Sequence, residues 1–331
     1  MKEAQARREL VDAGHRLLAE GLVARTWGNL SVRLDARSMA ITPSGIAYPD
    51  LTEAMIVVVD LETDEWSGQF KPSGERKLHS EVYRRRPEVM AGVHTHQAAA
   101  SICASARVSV PTPFGDVPCA PYALPGTKKI TQGTADALGG LPAVLMANHG
   151  AFTVGDTLEQ AFERITALER ACAAHVVASR PREGSPLPAD PDAPWDPAWL
   201  EPVVLGDGTR AWLSTAPFTA RFSVLHRPLP PVLDDLAQLT GRHVTCVGSL
   251  PEGRPRRDAL LIAGRGALVL GADHEAVAMV VEKAARAWIG AAGLGGARAL
   301  PAWEALLMRV VYARSYSKQA AAAHGDGGAA A

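Results

Sequence analysis

The 331-residue chain lacks a charge of one sign: 34 Lys and Arg stand against 35 Asp and Glu, for a formal net charge of −1. That balance excludes a broad electrostatic field of the kind that holds a nucleic acid, so no nucleic acid is expected as partner. It also lacks an uninterrupted apolar run of the roughly 18 to 20 residues that a bilayer crossing needs, so no membrane is expected either. The first nine residues are charged and helical in character and do not read as a secretory leader. Cysteine is scarce. Cys103, Cys119, Cys172 and Cys246 form no C-x-x-C pair and no regular spacing, which argues against a disulfide framework and for free thiols in a cytoplasmic protein.

What is present is enough apolar material for a sizeable core, 47% hydrophobic against 21% charged residues, which excludes a wholly disordered chain. The length suits two domains. Residues 2–20 read as a helix, with Leu10, Ala13, Leu17 and Leu18 on one stripe and Gly21 as its stop. Short strand-like runs follow at 30–34, 39–42 and 55–60, separated by turn residues. A helix is expected at 74–86, capped by Ser73 and stopped by Pro87, then a strand at 89–95 and a helix at 97–106. Apolar runs at 143–147 and 151–154 read as strands. The helix behind them has Asp156 and Glu159 as its start signal and an apolar face through Leu158, Phe162, Ile165, Leu168, Cys172 and Val176. Seven prolines between 181 and 202 mark a linker. The expected division is therefore a first domain at 1–180, the Pro-rich linker at 181–202, a second domain at 203–317 and a flexible Ala/Gly-rich tail at 318–331.

The second half echoes the first. Segment 143–155 aligns without gaps on 259–271, with Gly150 on Gly266, Ala151 on Ala267 and, beyond, Glu159 on Glu275. A constant offset through strand, Gly turn, strand and helix favours duplication. Arg265 then stands where the first copy has His149, and the 224–228 segment is the expected counterpart of 93–96, with Pro228 at a ligand position.

The chemistry concentrates in histidines. In His94-Thr95-His96 the two imidazoles lie two residues apart on an expected strand and project from one face, so both can reach one ion. Two ligands alone make a weak site. His149, in Asn148-His149-Gly150 past the end of another strand, is the third candidate; three histidines with an open fourth position suit catalytic zinc, and neutral imidazole also accepts other first-row divalent ions. The other histidines have no convergent partner, and His79 reads as part of a packed or hydrogen-bonded helix face. Glu75, in Pro72-Ser73-Gly74-Glu75, begins a helix, where a carboxylate complements the dipole or serves as acid–base near a metal. The amides of that turn, like those of Gly28-Asn29 and Thr42-Pro43-Ser44-Gly45, are donors an anion could use.

Taken in order, Gly28-Asn29-Leu30-Ser31, Thr42-Pro43-Ser44-Gly45, Asp50-Leu51-Thr52-Glu53, Pro72-Ser73-Gly74-Glu75 with His79, His94-Thr95-His96, Pro121-Tyr122 and Asn148-His149-Gly150 resemble the class II aldolase/adducin family over residues 2–180. The resemblance implies a three-layer α/β/α sandwich around a mixed, largely antiparallel sheet. The second half would be a related, degenerate α/β domain without metal ligands. By the same resemblance His94, His96 and His149 bind Zn2+ or another divalent metal, Glu75 is the catalytic acid/base, and Asn29, Ser44, Gly45, Ser73 and Gly74 hold a substrate phosphate. The implied activity is that of a carbon–carbon lyase on a small ketose phosphate, with the ion stabilising an enediolate, in a homo-oligomer. A decarboxylase, sugar-phosphate epimerase or dehydratase could use the same site, and an adducin-like non-catalytic interaction module is the reading from another class. Two departures stand out. Gly74 replaces a second hydroxyl residue common in sugar-phosphate aldolases, and the proton donor to the aldehyde half is unassigned, with Tyr312 and Tyr316 as candidates.

Overall fold

The structure, a computed structural model, describes residues 1–23, 26–179 and 194–325, with side chains described as far as 314. It forms two compact units, Met1–Pro194 with Gly290–Arg298, and Trp195–Ile289 with Ala299–Ala331. Most of the expected linker and residues 326–331 of the expected tail lie outside the described residues. The units are not two contiguous stretches: 290–298 belongs to the first. There Arg298 N–H donates to the Ser105 carbonyl, and a Cβ on Gly290 would press on Ile102.

Unit 1 contains α1 (Glu3–Ala19), β1 (Asn29–Arg33), β2 (Ser38–Ile41), β3 (Val57–Asp60), α2 (Arg76–Arg85), β4 (Ala91–Thr95), α3 (Ala98–Ala106), β5 (Val110–Thr112), β6 (Gly115–Val117), β7 (Cys119–Ala120), α4 (Lys128–Leu138), β8 (Ala143–Met146), β9 (Gly150–Gly155) and α5 (Leu158–Ala178). Seven of these nine strands form one sheet in the order β3-β2-β1-β4-β9-β8-β7, antiparallel throughout except for the parallel β7–β8 pair, and β5 and β6 pair separately. Side chains alternate across this sheet. Leu30, Val32, Ala91, Val93, Ala143 and Leu145 pack under α1, α3 and α5, on Leu10, Leu17, Ile102, Phe162 and Ile165. Met39, Ile41, Val144, Met146, Phe152 and Val154 pack on the other face, against Leu78, Val82 and Tyr83 of α2 and Ala135 and Leu138 of α4. The unit is thus the three-layer α/β/α sandwich with a largely antiparallel mixed sheet that the sequence implied. The same alternation sends Asn29, Ser31 and Arg33 of β1 and His94 of β4 toward α2.

Two element starts differ from expectation. The helix after Ser73 begins at Arg76, because the Ser73 hydroxyl accepts from Glu75 N–H within the preceding turn, which leaves Glu75 at the N-cap. At α5 the cap is Thr157 rather than Asp156: Thr157 Oγ1 accepts from Gln160 N–H, and Gln160 Oε1 reaches back to Asp156 N–H.

Unit 2 contains β10 (Leu200–Val204), β11 (Arg210–Ser214), α6 (Pro217–Ser223), α7 (Asp234–Thr240), β12 (Thr245–Val247), β13 (Ala259–Ile262), β14 (Gly266–Val269), α8 (His274–Gly290) and α9 (Ala302–Gly325). Its strand order is β10-β11-β14-β13-β12, with one parallel pair, β12–β13, at the edge. The tail expected from residue 318 instead continues α9 to Gly325, in keeping with the helix propensity of its alanines. The 224–228 segment, expected as the counterpart of 93–96, follows α6 outside any strand, and the strand beside β14 is β11. All four cysteines are free, and no helix among the described residues is long and apolar enough to cross a membrane.

Candidate metal centre

His94 lies at the end of the central strand β4, paired with β1 and β9, and its ring is fully buried. Its Nδ1 lies 2.8 Å from the Ala151 carbonyl oxygen. That oxygen only accepts, so Nδ1 carries the proton and Nε2 presents a lone pair. His96 follows on the same side, its ring parallel to Trp27 at 6.5 Å. His94 Nε2 and His96 Nε2 are 2.9 Å apart.

His149 arrives on the β8–β9 hairpin. Asn148 takes a left-handed conformation (φ 60°), which asparagine tolerates better than most residues, and the turn closes through His149 N–H on the Met146 carbonyl. Asn148 is gripped from three sides: its N–H donates to Ala104 O, its Oδ1 accepts from Arg107, and its Nδ2 donates to Arg298 O. Gly150 is required by close approach, because a Cβ there would run into the Thr95 carbonyl oxygen. The N-H-G string thus presses the tip onto the end of β4. The three imidazole centroids end 4.6 to 5.0 Å apart.

Glu75 closes the cluster from the turn before α2. Its Oε1 is 2.9 Å from His149 Nε2 and its Oε2 is 3.1 Å from His94 Nε2. The donor atoms of Glu75, His94, His96 and His149 all lie within 4.8 Å of one another. Burial pushes the Glu75 carboxyl up, but His94 and His149 beside it outweigh that and hold it well below the usual carboxylate range. Three converging imidazole nitrogens, which bind a metal once free of protons, and a carboxylate form a donor set that fits a first-row divalent ion.

The remaining expected residues fall around this cluster unequally. The 42–44 and 71–73 segments are stitched together, with Ser44 N–H on Lys71 O, Ser73 N–H on Thr42 O and a bridge between Pro43 and Pro72. Ser44 is half-buried, Gly45 and Gly74 are exposed, and Ser73 is buried. A Cβ at Gly74 would meet nothing within 4 Å, so no packing constraint explains the missing side chain. Asn29 is more committed than expected of an anion ligand: its Nδ2 donates to Glu75 Oε2 at 2.8 Å and its Oδ1 lies 2.5 Å from His79 Nε2, which leaves at most one N–H for a ligand. Tyr312 lies in unit 2, and the side chain of Tyr316 is outside the described ones. Sequence reasoning missed Arg107 and Arg298, which position the hairpin. It also missed Ser31 and Tyr83, which stand behind His79. Only the alternating polar residues of β1 hinted at the latter pair.

A sandwich of this topology, with three histidines and a glutamate clustered at the ends of its central strands, defines an α/β protein with a candidate metal centre, and comparison with known proteins places it. Residues 8–176 match the model of the class II aldolase and adducin N-terminal domain, and the chain belongs to that family. It is 33% identical over 164 residues to 5-deoxy-D-ribulose 1-phosphate aldolase of Bacillus thuringiensis serovar kurstaki, covering 47% of this chain and 77% of that protein. It is 33% identical over 169 residues to L-fuculose phosphate aldolase of Escherichia coli strain K12, covering 49% and 78%. The crystal structure of YgbL from Escherichia coli superposes with a TM-score of 0.50 at 27% identity, over 55% of this chain and 92% of that one.

Proposed function

We propose that unit 1 is a metal-dependent aldolase-type lyase that cleaves a small ketose phosphate, with Zn2+ as its ion and His94, His96 and His149 as its ligands. The observation that carries this reading is the convergence of those three imidazoles and the Glu75 carboxylate within 4.8 Å. The names of the aldolase relatives, which act on sugar phosphates, supply the substrate class. A divalent ion held there supplies Lewis-acid stabilisation of the charge that develops beside a carbonyl when the carbon–carbon bond breaks. The protein's own part is to hold and move the proton. Glu75, a quarter exposed and kept ionised by its imidazole neighbours, is the acid–base group that exchanges the proton on the reacting carbon of the ketose fragment. The amides and hydroxyls of Ser44, Gly45, Ser73 and Gly74, with the remaining N–H of Asn29, form the phosphate pocket. A homo-oligomeric assembly and a cytoplasmic location belong to the same reading. The test is incubation of the zinc-loaded protein with ketose 1-phosphates and mass spectrometry of the products. A three-carbon ketose phosphate and an aldehyde carrying the remaining carbons are expected. Glu75→Gln should retain the ion and lower turnover by about 100-fold or more, the range of a lost acid–base group. Unchanged solvent-isotope exchange into the ketose fragment by that variant would remove Glu75 from the role.

Unit 2 is, on the same reading, a degenerate copy without metal ligands. Its five strands correspond in order and direction to β1-β4-β9-β8-β7. Details support the correspondence. Glu169 of α5 accepts from Ala99 and Ala100 N–H at the second and third positions of α3; Glu282 of α8 accepts from Phe218 and Thr219 N–H at the same positions of α6. Asn148 N–H donates to Ala104 O, and Gly264 N–H donates to Ser223 O, each the seventh residue of its helix. A Cβ on Gly150 would run into Thr95 O, and one on Gly266 into Ser214 O. This register sets Leu213, Thr215 and Arg265 where unit 1 has His94, His96 and His149, so the imidazole donors are absent.

A further inference from the structure

Behind Glu75 runs a row of buried polar groups that the proposed chemistry does not use. Tyr83 Oη is 2.8 Å from Ser31 Oγ; Ser31 Oγ is 2.5 Å from His79 Nδ1; His79 Nε2 is 2.5 Å from Asn29 Oδ1; and Asn29 Nδ2 is 2.8 Å from Glu75 Oε2. All four side chains behind the carboxylate are buried, between 0 and 3% exposed. Buried polar groups of this kind are costly unless each finds a partner, so a continuous chain of them specifies one arrangement.

The direction of the chain follows from its end. An ionised carboxylate only accepts, so Asn29 must turn its nitrogen toward Glu75 and its oxygen toward His79. The oxygen only accepts, so His79 must carry its proton on Nε2. Nδ1 is then an acceptor, which makes Ser31 the donor to it and leaves the Ser31 oxygen to accept from Tyr83. Every hydrogen bond in the row points at Glu75.

The local sequence serves this geometry. Gly92, opposite Ser31 in the β1–β4 register, leaves room for the ring, since a Cβ there would stand 3.0 Å from His79 Nδ1. Phe152 meets the ring edge-on at 4.9 Å, which fixes its plane. Burial first, then the nearby His94, depress the His79 pKa to about 3, against the opposing pull of Glu75, so the imidazole is neutral at physiological pH.

We propose that His79 is a positioning residue of the lyase site: in its Nε2–H form it locks the Asn29 carboxamide, which in turn holds Glu75 at the metal cluster in the orientation that serves as base. This deepens the function proposed above and rests on Glu75 acting there. It assigns no contact with substrate to His79 itself.

Histidine-selective 15N NMR of the full-length protein tests the chain without any assay of turnover. The expected result is a neutral His79 with its proton on Nε2 between about pH 5 and 8, where an ordinary histidine titrates. A proton on Nδ1, or an imidazolium, would overturn the proposal. Substitution tests the consequence. His79→Gln can place an amide N–H where Nε2–H was, whereas His79→Leu cannot. His79→Leu should lower kcat about 10- to 100-fold with KM nearly unchanged, the scale of the Asn29 hydrogen bond to the charged Glu75 that is lost when the carboxamide is freed, and His79→Gln should recover most of it. Equal damage in both variants, or a loss carried by KM, would count against positioning. Absence of ketose-phosphate cleavage by the unsubstituted protein would sink the lyase reading alone, and the tautomer would still decide whether the chain is oriented as described.

Discussion

His79 shows how one side chain couples stability to pH at this site. Its folded pKa, about 3, lies below the 6.5 of an ordinary histidine, so below that value the unfolded chain binds a proton that the folded chain refuses. The contribution of a neutral His79 is fully present above pH 6.5 and drains away as pH falls toward 3, by about 1.4 kcal/mol per pH unit at most. Glu75 acts with the same sign lower down: its depressed pKa makes its contribution present above the ordinary carboxylate range and lost as acid titrates it. Urea unfolding at about pH 7 and pH 5 should therefore show a clear loss for the wild-type protein and a smaller one for His79→Gln; parallel losses in the two proteins would contradict the account. At this scale the sequence was only partly legible. The His94-x-His96 spacing and a glutamate at a helix start are local signals. The partners of His79 are not, because Ser31 and Asn29 meet it across 48 and 50 positions of chain, Tyr83 joins only through Ser31 across 52, and a buried serine has the same letter as a solvated one.

The β8–β9 hairpin is the element on which the site turns. It carries His149, and it holds that residue against β4 by a contact too close for any side chain at Gly150. Gly150→Ala should separate the strands at their ends and destabilise unit 1 by about 2–3 kcal/mol, as overpacking does. It should also weaken zinc binding through His149, although residue 150 touches no ion. Thermal melts with and without zinc read both effects, and a variant with unaltered melting and zinc affinity would refute the close-approach argument. The strings Asn148-His149-Gly150 and Pro72-Ser73-Gly74-Glu75 announced turns in the sequence. What they could not announce was the grip on Asn148 by Arg107 and by the carbonyl of Arg298, which the chain supplies 150 residues later. The displaced α5 cap has a similar cause: Asp156 and Thr157 are both good caps, and the choice falls to Gln160, which satisfies the Asp156 amide while Thr157 takes its own.

For the molecule as a whole, the proposed degenerate copy makes a constructive prediction. If Leu213, Thr215 and Arg265 occupy the positions of His94, His96 and His149, then the triple substitution Leu213→His, Thr215→His and Arg265→His should give unit 2 an ion of its own. A folded triple variant that takes up no additional zinc would break the positional equivalence. The 143–155 and 259–271 alignment was readable because both segments hold the same strand–turn–strand–helix pattern. On the proposed correspondence the mate of β4 is β11 rather than 224–228, and β11 carries neither histidine, the only letters that mark β4 in the sequence. The account as a whole depends on unit 1 holding a single divalent ion through three imidazoles, and equilibrium dialysis of the metal-stripped, full-length protein against zinc, with the bound metal counted by mass spectrometry, tests that directly. It predicts one zinc per chain, lost in His94→Ala and His149→Ala and retained in Arg265→Ala. A chain that binds none, or that keeps its zinc without His94 and His149, would contradict it.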